Sequence, residues 1–255
     1  MSQDKKIKKI VSGKNKLFVH VFLCIAATFF IANIMGCGTS GNASPSGLNV
    51  QYRVFNLSPD LYPVNLYIDY KKVSSNPNIS ASISNPFVFN VKQGYFYLPS
   101  ITPPFQFRTV LISGGTLLTR NDSLKSGLKY SVFIIGAQLG NSLTSIITVD
   151  TAAAPKVGRG KIRFVNVSPS ETSGLDVYAN GTQAFSKVLY KSISPYMELP
   201  VGNYDIQITA PGSKNVIKEL PLVTIQDGRL YTLYAHGYTN RVDSAAFTAD
   251  TLINK

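Results

Sequence analysis

Five blocks of this sequence occur twice in the same order, and that duplication restricts the fold more than any other feature. Arg53-Val54-Phe55-Asn56-Leu57-Ser58-Pro59 returns as Arg163-Phe164-Val165-Asn166-Val167-Ser168-Pro169, and Val64-Asn65-Leu66-Tyr67-Ile68-Asp69 as Leu175-Asp176-Val177-Tyr178-Ala179-Asn180. Leu98-Pro99 matches Leu199-Pro200, and Gly127-Leu128-Lys129-Tyr130 matches Gly228-Arg229-Leu230-Tyr231. The tails align Thr148-Val149-Asp150-Thr151 with Thr248-Ala249-Asp250-Thr251. Whatever the first copy folds into, the second must fold into as well. The small, Pro- and Gly-bearing stretch 152–160 (AAAPKVGRG) reads as the linker between repeat 1 (48–151) and repeat 2 (161–255).

Each copy reads as β. Val64, Leu66 and Ile68 alternate with polar or interfacial residues, as do Leu175, Val177 and Ala179, the period of a half-buried strand. Asn180-Gly181 signals a two-residue hairpin. Short strands spaced through units of about 100 residues predict an all-β chain of two tandem antiparallel β-sandwiches, immunoglobulin- or transthyretin-like. Tyr130 and Tyr231, each three residues after a glycine and at the head of an apolar strand, resemble the tyrosine corner that ties a sandwich corner to upstream backbone.

The recurring pattern of Arg-φ-φ-Asn-φ-Ser-Pro, φ-x-φ-Tyr-φ-Asp/Asn, Leu-Pro and Gly-x-x-Tyr-Ser/Thr-φ (φ, apolar) resembles the domain-of-unknown-function family 4397. The resemblance implies extracytoplasmic bacterial domains, often in tandem on lipoproteins, and supplies no catalytic residues. The second copy follows the pattern more closely. The first departs from it at Ser100-Ile101-Thr102-Pro103-Pro104 and in an insertion spanning 71–85.

The N-terminus speaks to location. Lys5, Lys6, Lys8, Lys9, Lys14 and Lys16 precede an apolar run from Leu17 to Ala32, followed by Ile34-Met35-Gly36-Cys37. Basic, apolar and small-residue regions in that order describe a secretory signal. A cysteine directly after the small residue resembles the lipobox of bacterial lipoproteins. That resemblance implies cleavage between Gly36 and Cys37, removal of the signal peptide 1–36, and thioether lipidation of Cys37. A retained span over Leu17–Gly36 is the competing reading, with His20 and Asn33 inside the run against it. Residues 38–47 (GTSGNASPSG) read as a flexible tether reaching about 17–19 Å. The expected setting is the cell envelope, anchored in a membrane by lipid. Gly38 is not acidic, which favours the outer membrane, on its periplasmic face or at the cell surface.

The chain carries a net charge of +12, of which the first 36 residues, with six lysines and one aspartate, hold a large part. The remainder is moderately basic without a cluster, so no nucleic-acid partner is expected. Cys37 is the one cysteine after the signal and His236 the one histidine. A thiol or zinc site is therefore not expected, nor is any cofactor or metal. His236 is matched by Ile135 in the sister copy, and the acids are scattered, with Asp150 and Asp250 assigned to linker and tail. No catalytic residue is assigned. Phe87, Phe89, Phe105 and Phe107, at period two, read as core, whereas Tyr95 and Tyr97 beside the inserted loop form a candidate binding face. Asp122-Ser123-Leu124, Asp150-Thr151-Ala152, Asp243-Ser244-Ala245 and Asp250-Thr251-Leu252 resemble acceptors of periplasmic O-glycosylation, which makes Ser123, Thr151, Ser244 and Thr251 candidates. The expected role is non-catalytic binding of a protein, glycan or envelope polymer. A scaffold role and, below both, a hydrolase are the alternatives.

Overall fold

The computed structural model describes residues 48–73, 86–111 and 115–255. The signal peptide, Gly36, Cys37, the tether and all but the start of the inserted loop lie outside the described residues. Repeat 1 consists of β1 (Gln51–Asn56), β2 (Val64–Ile68), β3 (Lys71–Lys72), β4 (Phe96–Tyr97), β5 (Phe105–Thr109), β6 (Thr116–Arg120), β7 (Lys129–Ile135) and β8 (Thr144–Val149). Repeat 2 consists of β9 (Arg159–Asn166), β10 (Leu175–Ala179), β11 (Thr182–Val188), β12 (Met197–Pro200), β13 (Gly202–Thr209), β14 (Val216–Ile225), β15 (Leu230–His236) and β16 (Thr248–Ile253). Repeat 1 folds into sheets β4-β1-β7-β8 and β3-β2-β5-β6, and repeat 2 into sheets β12-β9-β15-β16 and β11-β10-β13-β14. Strand for strand, the two topologies are the same.

Both repeats are the expected β-sandwiches, with one parallel pairing each, β1 with β7 and β9 with β15. Apolar side chains from the two sheets of repeat 1 meet in a core that includes Tyr52, Val54, Leu66, Phe87, Phe105, Phe107, Val132 and Ile134. Phe164, Val177, Ile206, Ile208, Tyr231 and Leu233 belong to the corresponding core of repeat 2. The predicted turn forms at Asn180-Gly181, where both residues take positive φ (48° and 76°) and Ala179 faces Thr182. These are the dihedrals of a hairpin turn that follows the sheet's own twist. Repeat 1 makes the equivalent turn with Asp69 (φ 49°) and Tyr70 (φ 62°), a conformation that suits Asp better than Tyr. At the corners, the Tyr130 hydroxyl accepts the Lys125 N–H at 2.8 Å and the Tyr231 hydroxyl accepts that of Gln226 at 3.0 Å.

A third core lies between the repeats. Phe55, Leu57, Phe133 and Ile135 of repeat 1 pack on Val165, Val167, Tyr234 and Leu252 of repeat 2. The Phe55 and Phe133 rings stack at 5.2 Å, and Tyr234 closes the group at 5.8 and 5.4 Å from them. The sheets carrying β1 and β9 are thus buried on both faces. Alternate side chains of β7 point to its own sandwich core (Tyr130, Val132, Ile134) and to the other repeat (Phe133, Ile135). This is why β7 and β15, interrupted between their ends only by Ser131 and Thr232, read as near-continuous apolar runs instead of alternating ones. The two repeats belong to one compact unit.

Candidate functional site

Among the described residues, a group of buried ionisable side chains sits in this inter-repeat seam and is built from equivalent positions of the two copies. On β1, Arg53 alternates out of its own core and donates through Nε to Ser131 Oγ of β7 at 2.6 Å. On β9, Arg163 does the same to Thr232 Oγ1 of β15 at 2.9 Å. Both guanidinium groups then cross the seam. Arg53 donates through Nη1 to the Ile253 carbonyl (3.4 Å) and through Nη2 to Asn254 Oδ1 (2.5 Å). Arg163 donates through Nη1 to the Val149 carbonyl (2.7 Å) and through Nη2 to Asp150 Oδ1. A tyrosine ring covers each guanidinium, Tyr95 at 4.2 Å from Arg53 and Tyr196 at 4.8 Å from Arg163.

Asp150 is the hub. Its Oδ1 also accepts from Thr148 Oγ1 at 2.7 Å, and its Oδ2 accepts from the Tyr95 hydroxyl at 2.7 Å and from Ser131 Oγ. Arg53 Nη2 lies 3.6 Å from Oδ2. Two arginines and three hydroxyls therefore share one buried carboxylate, which saturates the lone pairs it can offer. Burial pulls the Arg53 guanidinium below its ordinary value, against the opposing field of Asp150. It also raises the Tyr95 hydroxyl well above the ordinary phenol range, with Asp150 adding to the effect.

Register corrects the tail alignment drawn from sequence. Tyr130 faces Val149 and Tyr231 faces Ile253, so the residues after β8 and β16, Asp150 and Asn254, are equivalent. Each donates its backbone N–H to the residue before the corner tyrosine, Lys129 and Leu230 respectively. Asp250, matched to Asp150 by sequence, stands four residues earlier. An even slip keeps the same face of a strand, so the pattern survives the shift. Asp150 is therefore a seam residue and Asp250 a strand residue, not members of linker and tail.

Asp250 lies at the border of the seam, where it accepts from Lys92 Nζ of repeat 1 at 2.6 Å and lies 3.3 Å from His236 Nε2. His236 is buried and stacks on Tyr234 at 5.2 Å. Burial pushes the Asp250 carboxyl up, but the His236 and Lys92 contacts outweigh it and hold the carboxyl below its ordinary value. A depressed carboxyl stabilises the fold above its unfolded pKa, and that contribution is lost as pH falls through the folded value. Lys92 and Asp250 are partly exposed, which limits the pair to about 1 kcal/mol or less. Lys92→Ala should therefore lower Tm at pH 7 by no more than about 2–4 °C. Thermal scans should show the difference shrinking in high salt and vanishing once the carboxyl is protonated.

The remaining sequence candidates fall in different surroundings. Tyr95 is taken into the seam, its hydroxyl turned to Asp150, so it does not offer the exposed face expected of it. The physical reason is the arginine beneath its ring. Tyr97 stays half-buried on β4, opposite Gln51, and lines a small cleft of about 250 Å³ with Asn49, Lys129 and neighbours. Ser123 and Ser244 are exposed in loops. Thr151 accepts the Lys129 N–H through Oγ1 at 2.9 Å, and Thr251 Oγ1 is buried within β16.

Two larger clefts open at the surface. One, of about 570 Å³, runs between the edge strands β14 and β16, with Leu220, Leu222, Thr251 and Ile253 among its walls. In repeat 1, Arg120 reaches from β6 to the Ser145 carbonyl of β8 at 2.8 Å, across the corresponding gap. The other, also about 570 Å³, lies among the loops of repeat 1 around Asp60 and Tyr62. Among the described residues no group of His, Cys, Asp and Glu is placed to hold a metal ion.

The sequence profile described as "Domain of unknown function (DUF4397)" matches residues 50–173 and again 170–254. No curated protein matches the chain. Among solved structures, the chain is similar to one titled "The Bacillus anthracis TIE protein", at 9% identity and a TM-score of 0.18, over 80% of this chain and 43% of that one. The chain thus spans less than half the length of that relative.

Proposed function

We propose, on the premise that the chain belongs to the family described as Domain of unknown function (DUF4397), whose description names no activity, that it is a non-catalytic cell-envelope lipoprotein. Its tandem sandwiches act as one rigid body that binds a protein, a glycan or an envelope polymer. The observation that carries this reading is the use made of the strongest ionisable groups. Arg53, Asp150 and Arg163 are buried in the seam and engaged there, holding two repeats together. What faces outward is loops and clefts lined mostly by neutral side chains, the surface of a module that recognises without reacting. The lipobox-like tetrapeptide and tether supply the anchor, with the outer membrane as the proposed location. Two acyl chains or more hold stably where one does not.

Lipidation is tested at Cys37. Cys37→Ala should abolish incorporation of a fatty-acid probe and leave a larger, unprocessed form in the membrane. A mutant that still takes up label would remove the anchor from the proposal. If the chain is O-glycosylated at its Asp-Ser/Thr-apolar triplets, the sugars should sit on Ser123 and Ser244. Both hydroxyls are on exposed loops, whereas the Thr151 hydroxyl oxygen is engaged by the Lys129 N–H and Thr251 Oγ1 is closed off inside a strand. Mass mapping of glycopeptides distinguishes these sites, and sugar on Thr251 would contradict the assignment. Capture of envelope components by the full-length protein, followed by identification of what is retained, tests the binding role.

A further inference from the structure

The loop cleft of repeat 1 carries the furthest inference. Its floor is a latch: Asp60 Oδ1 accepts the Gln138 N–H at 3.0 Å and the Ser58 hydroxyl at 3.0 Å, and Oδ2 accepts the Leu139 N–H at 2.8 Å. The latch holds the loop after β7 so that Leu139 stands 92% exposed, and Tyr62 in the loop after β1 is 60% exposed. Both line the same cleft with Asp60, Gln138 and Asn141. Repeat 2 keeps the latch but not the cleft chemistry. There Ser170 Oγ stands in for the carboxylate, accepting the Thr239 N–H at 3.1 Å and donating to Glu171 Oε1 at 3.4 Å, and Thr172 and Asn240 stand at the positions of Tyr62 and Leu139. Fixing the loop therefore needs no tyrosine and no carboxylate in direct contact with it, and what repeat 1 adds is a ring, an apolar tip, two amides and a carboxylate on the latch itself.

We infer that this cleft is a binding site for a neutral saccharide. A sugar ring presents an apolar C–H face and a rim of hydroxyls that both donate and accept. Tyr62 and Leu139 offer the apolar platform, and the amides of Gln138 and Asn141 offer donors and acceptors. Asp60 retains acceptor capacity at the cleft floor. Partial burial pushes its carboxyl up, but its three donors outweigh that and hold it below the ordinary value, so it stays ionised. Among the described lining residues no lysine, arginine or histidine accompanies it, so an anionic ligand would meet an unopposed like charge. The same charge opposes burial of the cleft in lipid. The volume, about 570 Å³, is that of a small-ligand site.

The inference rests on the proposed binding role and names its ligand class, so the experiment separates the two. The full-length protein, purified in detergent, is titrated with malto-, cello-, manno- and chitotetraose, with trigalacturonate as the anionic control. Calorimetry should show binding of at least one neutral tetrasaccharide and none of trigalacturonate. Tyr62→Ala should weaken that binding about tenfold or more. Tyr70→Gly, at an exposed tyrosine outside the cleft lining, should leave it unchanged. Thermal unfolding verifies that both variants are folded. Failure of every neutral tetrasaccharide to bind, preference for the anionic one, or binding that survives Tyr62→Ala would each overturn the inference. So would association with phosphatidylcholine vesicles that Leu139→Asp abolishes, which would make the loop a membrane tip. Capture of an envelope component that persists in Tyr62→Ala would overturn the saccharide site while leaving the wider binding role standing.

Discussion

Replacing Asp150 with alanine should destabilise the protein by about 3–5 kcal/mol, the cost of leaving buried charge without its partner. For a chain of this size that is a fall in Tm of roughly 10 °C or more. The deletion strands two guanidinium groups at once, because Arg163 bonds directly to Oδ1 and Arg53 lies 3.6 Å from Oδ2. It also removes the acceptor of the Ser131 hydroxyl and the nearer of the two acceptors of the Tyr95 hydroxyl. Asp150→Asn separates charge from shape. Asn254, its equivalent, shows that an amide fits this geometry beside an arginine, accepting from Arg53 and donating to Tyr196 and Thr232 at 2.7 Å. With amides at both positions, two arginines would share no anion, so Asp150→Asn should still cost about 2 kcal/mol. Chemical denaturation of wild type, both variants, Arg163→Ala and the Asp150→Ala/Arg163→Ala double mutant closes a cycle. The expected coupling is above about 1 kcal/mol. Additive losses would mean that the carboxylate is not what holds Arg163.

The seam also marks where sequence reading reached its limit. The tandem sandwiches, the Asn180-Gly181 turn and the Phe105/Phe107 core were legible because each rests on a local signal, period two or a turn dipeptide. The packing of one copy on the other was not, since no dipeptide encodes it. A signal was nevertheless present. Ser131-Val132-Phe133-Ile134-Ile135 and Leu230-Tyr231-Thr232-Leu233-Tyr234-Ala235 fail to alternate, and a strand buried on both faces reads in that way. Arg53 and Arg163 were visible only as the first letter of a repeated motif. An arginine inside an apolar strand at equivalent positions of two copies calls for a buried acceptor. Finding it required the register of β8 and β16, which the recurrence of Asp-Thr in the tails disguised. The Asp60 cleft was equally hidden. Its groups come from loops 78 residues apart and meet only because parallel β1 and β7 lie side by side.

Phe133→Ala should cost about 3–5 kcal/mol, as truncation of a large buried ring does, and the loss should be felt in both repeats together. Phe133 lies on β7 of repeat 1, yet it belongs to the core between the repeats and to neither sandwich core. Its ring stacks on Phe55 at 5.2 Å and meets Tyr234 of repeat 2 at 5.4 Å. If the repeats were beads on a linker, this truncation would weaken repeat 1 alone and repeat 2 would melt as before. In the fused arrangement the third core and the arginine network are shared, so neither sheet keeps both faces covered when the other unfolds. The linker itself contributes little to that coupling, with Val157 almost wholly exposed. Hydrogen exchange followed separately on β7 and β15 distinguishes the cases. Protection in the two strands should fall by the same free energy in Phe133→Ala, and calorimetry should show one transition in wild type and variant alike. Val132→Ala, inside the core of repeat 1, provides the comparison, because it tests whether damage remote from the seam spreads too. Unchanged protection in β15 of Phe133→Ala would show two independent domains that merely touch. Equal losses would make the duplicated unit a half of one fold, whose binding surface is as rigid as its seam.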